Sequence, residues 1–67
     1  MNTTYAEAID KVGKWLFNCI MLMQPIDYEP LKEHVLLTVG YMFEVDTNTV
    51  NRDLHVKMLT LRKSELH

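Results

Sequence analysis

Cysteine occurs once in the 67 residues, and glycine and proline twice each. A lone Cys19 excludes an internal disulfide, and no Cys/His grouping has the spacing of a zinc site. So little Gly and Pro excludes a turn-rich β-sandwich and argues against disorder. Charge of one sign is also scarce. Seven basic residues stand against nine acidic ones, a net charge of −2, so the chain as a whole has no pull toward nucleic acid. The longest apolar run, Trp15 to Met23, is interrupted by Asn18 and is too short to span a bilayer. No basic amino-terminal flank or small-residue cleavage site marks a signal peptide. A cytoplasmic protein with a free, buried thiol is the expectation.

Hydrophobic residues make up 48% of the chain and charged residues 24%, the balance of a single small globular domain over residues 1–67. At this size a single core rarely supplies more than about 3–5 kcal/mol. Without disulfide or metal, self-association is the simplest further support.

Three segments read as helices, giving an all-α fold. Thr4-Tyr5-Ala6-Glu7 matches the capping box. Tyr5, Ala8, Ile9, Val12, Trp15, Leu16, Cys19, Ile20 and Met23 then follow at steps of three and four, predicting a first helix over 4–23. Beyond Lys14 its polar face disappears, and Phe17, Met21 and Leu22 add a second apolar surface. Such a helix needs two partners. One is the core. The other is either a second copy, with Trp15, Phe17, Met21 and Leu22 as the homodimer seam, or the remaining two segments. Pro25 breaks this helix, and Gln24–Pro30 reads as a loop. Pro30 suits the first turn of a second helix over 30–43, carried by Leu31, Val35, Leu36, Val39, Met42 and Phe43. Asp46 is an N-cap for a third helix over 46–62, with Val50, Leu54, Met58 and Leu61 on one face. A short terminal strand around Met58 is the alternative there.

The run from Val39 to Leu54 carries a small residue (Gly40), an apolar helix end (Phe43) and a turn aliphatic (Val45). A polar cap (Asp46), Thr49-Val50 and Arg52-Asp53-Leu54 follow. This pattern resembles the helix-turn-helix of bacterial and phage DNA-binding proteins, most closely that of DeoR-type regulators, over residues 39–54. Glu44 stands where that motif usually has a left-handed Gly. The resemblance implies a helix-turn-helix whose third helix enters the major groove of duplex DNA. Asn48, Asn51 and Arg52 would then read base edges, with Thr47, Thr49, His55 and Lys57 nearer the backbone. Residues 46–67 hold four cations against three acids, and residues 1–45 three lysines against six acids. Two copies would read half-sites about 34 Å apart.

Enzymatic chemistry is not expected. His34, His55 and His67 are scattered, Glu33-His34 lacks a second zinc-spaced histidine, and phosphate loops and nucleophile elbows are missing. Neither a metal nor a cofactor is called for, and no small-molecule substrate. The expected function is therefore sequence-specific DNA binding by a small homodimeric regulator of transcription or replication, of phage or mobile-element type. The alternative is a helical interaction module or inhibitor that docks on another protein, such as a host protein, through exposed Phe17, Met21, Leu22, Leu37 and Tyr41.

Overall fold

Residues 3–65 are described by a computed structural model. They form three helices: α1 (Tyr5–Leu22), α2 (Pro25–Phe43) and α3 (Thr47–Glu65). The all-α expectation holds, and the terminal segment is helix rather than strand.

α1 starts where the capping residues place it. The Thr4 hydroxyl accepts from the Glu7 amide at 3.2 Å and donates to the Glu7 carboxylate at 3.1 Å. The carboxylate thus meets the cap's side chain instead of its backbone N–H. The helix ends at Leu22, and extended Met23 closes it with its amide on the Cys19 carbonyl at 2.9 Å.

α2 begins five residues earlier than the 30–43 expectation. Pro25 occupies the first helical position, where a proline's fixed φ and missing N–H cost nothing. The Gln24 carbonyl accepts from the Asp27 and Tyr28 amides, each at 3.0 Å. There is accordingly no Gln24–Pro30 loop. Pro30 lies inside the helix, and Tyr28 becomes a core residue, continuing the stripe of Leu31, Val35 and Val39 by one turn.

The turn into α3 is tightly specified. Glu44 adopts the left-handed conformation, with φ 54° and ψ 44°. The Val45 amide then reaches the Gly40 carbonyl at 2.9 Å, which is the closing bond of a Schellman motif. A Cβ on Gly40 would lie 2.8 Å from the Val45 carbonyl oxygen, so only glycine lets α2 approach the turn this closely. Asp46 caps α3 as expected, its carboxylate accepting from the Asn48 amide at 3.1 Å.

α3 packs mainly on α1. The core is Ile9, Leu16, Tyr28, Val39, Val50 and Leu54, supported by half-buried neighbours including Tyr5, Val12, Phe43 and Met58. Two residues of the expected apolar stripes stay outside this core, Ile20 at 48% exposed and Met42 more so, while Trp15, given to the homodimer seam, is also 48% exposed. Cys19 is half-buried and packs against the core instead of lying fully inside it.

Candidate functional site

Val50 and Leu54 fix how α3 is presented. Both are essentially sealed from solvent. At about 100° per residue their anchoring leaves Asn48, Asn51, Arg52 and His55 exposed on the opposite side. Thr47 and Thr49 are half-buried at the helix start. Lys57 does not join this face. It lies nine residues beyond Asn48, about half a turn out of phase, and its aliphatic stem packs on Gly13 of α1. Its ammonium pairs with Asp10, which Lys14 also contacts at 3.2 Å. The two cations hold the Asp10 carboxyl below its usual range.

Asp53, in the middle of the Arg-Asp-Leu run, faces the interior side. It accepts a 2.7 Å hydrogen bond from the Tyr5 hydroxyl and lies 3.5 Å from the Arg52 guanidinium. The Tyr5 ring meets Phe43 edge-on, centroids 5.8 Å apart. Tyr5 therefore ties the start of α1 to both other helices. Burial, then the hydrogen bond to Asp53 and its charge, push the Tyr5 phenol up to about 12, against a smaller opposing effect of Arg52.

The four residues of the expected dimer seam fall on two sides of α1. Trp15 and Leu22, seven residues apart, share one flank; Phe17 and Met21, four apart, share another. Phe17 and Met21 line a groove of about 570 Å³ between the three helices. Its floor is Leu16, Tyr28, Leu54 and Met58. Ile20, Met21 and Leu59 form its walls, and Glu29, Lys32, Asn51, His55 and Arg62 its rim. Tyr28 rests there with its hydroxyl 4.0 Å from the Met58 sulfur, and burial raises its pKa. Phe17 and Met21 were expected either in a seam with Trp15 or on a docking surface with Leu22, Leu37 and Tyr41; the groove itself was not foreseen, because Tyr28, part of its floor, was read as loop. A smaller depression of about 420 Å³ adjoins it, where Glu29 and Glu33 lie beside Asn48 and Asn51.

The groove and the outward polar face of α3 thus share Asn51 and His55. A partner seated on Phe17 and Met21 would cover them. Leu37 and Tyr41 lie exposed on α2 and do not line the larger groove. Among the described residues, no three His, Cys, Asp or Glu side chains converge as a metal site; His67 lies outside those residues. No described helix is long and apolar enough to cross a membrane. Compared with protein-family models, curated proteins and solved structures, the chain matches none.

Proposed function

We propose that the chain is a small protein-interaction module that takes a segment of another protein into the groove between α1, α2 and α3. The groove itself carries the proposal: an apolar trough whose walls, Ile20, Met21 and Leu59, stand 44–63% exposed. Apolar surface left in water is unfavourable by about 25 cal/mol per Å², and contiguous patches of it mark sites of association. Charge points the same way. The chain carries −2 overall, Lys57 is engaged by Asp10, and Asn48 and Asn51 are bordered by two acids, Glu29 and Glu33, against one cation, Lys32. Phosphate binding scales with the number of cations free to neutralise it, and here they are few.

A second reading, duplex DNA binding through α3, is supported by the anchoring of Val50 and Leu54, which turns Asn48, Asn51, Arg52 and His55 outward. It also draws on the helix-turn-helix resemblance over residues 39–54. An NMR titration of the full chain separates the two. Groove amides, such as those of Ile20, Met21 and Leu59, should shift when a pool of amphipathic helical peptides is added. Random-sequence duplex DNA at low salt should leave Asn48, Asn51 and Arg52 unmoved. The opposite pair of results would overturn the proposal in favour of DNA.

A further inference from the structure

The groove follows α3 from Asn51 to Arg62, a length of about 16 Å at 1.5 Å per residue. Three turns of a partner helix fill that length. The floor and walls are apolar on all three helices, so the occupant needs an apolar stripe rather than a single anchor. The rim is different in character. Lys32 from α2 and Arg62 from α3 stand on it, with Glu29 as its one acid. Within residues 3–64, whose side chains are described, neither cation has an ion-pair partner. In a chain of net charge −2, the rim of this trough thus carries two cations and one acid.

A second copy of this chain is a poor occupant. Two-fold association sets the same patch against itself, which here leaves the two cations of each rim, Lys32 and Arg62, with a single acid, Glu29, to meet on the other copy.

We infer that the groove binds an amphipathic helix of a different protein, about three turns long, whose apolar stripe is flanked by carboxylates that meet Lys32 and Arg62. This rests on the docking reading above and adds the chemistry of the partner. Opposite charges at an interface rim govern partner choice and the rate of encounter, and two partly exposed pairs shift affinity about ten-fold at low salt.

The test is a displayed library of helical peptides with a fixed apolar stripe and randomised flanks, selected against the full-length chain. Three proteins serve as bait: the natural chain, Met21→Glu, and the double variant Lys32→Glu/Arg62→Glu. All three substitutions fall outside the buried core, and circular dichroism checks that each bait is folded. Asp and Glu should be enriched at the flanks for the natural chain. The double variant should invert that preference toward Lys and Arg, and Met21→Glu should abolish enrichment. Enrichment that vanishes with Met21→Glu but shows no flank preference would overturn the acidic-partner inference and leave the docking reading standing. No enrichment, or enrichment untouched by Met21→Glu, would overturn both.

Discussion

Single residues decide how closely the helices meet, and the α2–α3 turn shows this best. Glu44 is held at φ 54°, a region where a side chain crowds its own backbone at a cost of about 1–2 kcal/mol. Glycine removes that cost but orders a more flexible unfolded chain. Glu44→Gly is therefore expected to stabilise the fold by about 0.5–1 kcal/mol, read as a higher urea midpoint. Gly40→Ala should do the reverse, since the new methyl meets a backbone oxygen at 2.8 Å that cannot swing away. A loss of about 1–3 kcal/mol in the same assay is expected. Tyr5 contributes to the alkaline limit, as Tyr28 does with its own raised pKa. The Tyr5 phenol holds its proton up to about 12 in the folded chain, against 10 for an ordinary tyrosine. The folded state thus binds the proton more tightly, and Tyr5's contribution is intact below pH 10 and lost as pH rises toward 12. Tyr5→Phe should remove the phenolate absorbance step near pH 12 and flatten that alkaline loss of stability.

At the scale of elements, α1 and α3 were legible because each announces its own start. Thr4 with Glu7 and Asp46 with Asn48 make the bonds that their spacing implies. α2 was not, because two prolines compete for one role and both satisfy the rule for a first helical position. The stripe of Tyr28, Leu31, Val35 and Val39 held the deciding signal, as it extends past Pro30 toward Pro25. Which apolar residues stay exposed was less legible still. Ile20 and Met42 have the right residue type and periodicity, but three helices do not cover every face they present. Lys57 misled for a related reason. Read as a list, it belongs with the cations of α3; read by phase, it belongs to α1. The start of α2 is open to a direct check. Pro30 withholds the amide that would bond the Ile26 carbonyl, whereas Pro25 withholds one that no helix uses. Pro30→Ala should raise stability by about 1–3 kcal/mol, and Pro25→Ala should change it little. Equal effects in thermal unfolding would return the helix start to Pro30.

For the molecule as a whole, the question is which face associates with what. A chain this small leaves much apolar surface uncovered, and part of it lies on the two flanks of α1. The groove flank holds Phe17 and Met21 beside α3. The other holds Trp15, 48% exposed, and Leu22, 85% exposed. A symmetric seam built on the groove would bury Asn51 and His55, hiding half of the outward polar face of α3. Self-association on the Trp15 and Leu22 flank leaves both the groove and that face open. It also satisfies the first helix's demand for a second partner without competing for the first. The two flanks are therefore expected to act independently. Trp15→Glu should shift the chain toward monomer in sedimentation equilibrium while leaving its affinity for a groove peptide unchanged. Met21→Glu should abolish peptide binding and leave the sedimentation profile as it was. If Met21→Glu instead dissociated an oligomer, the groove would be the seam between copies, and neither an external helix nor an operator could reach Asn51.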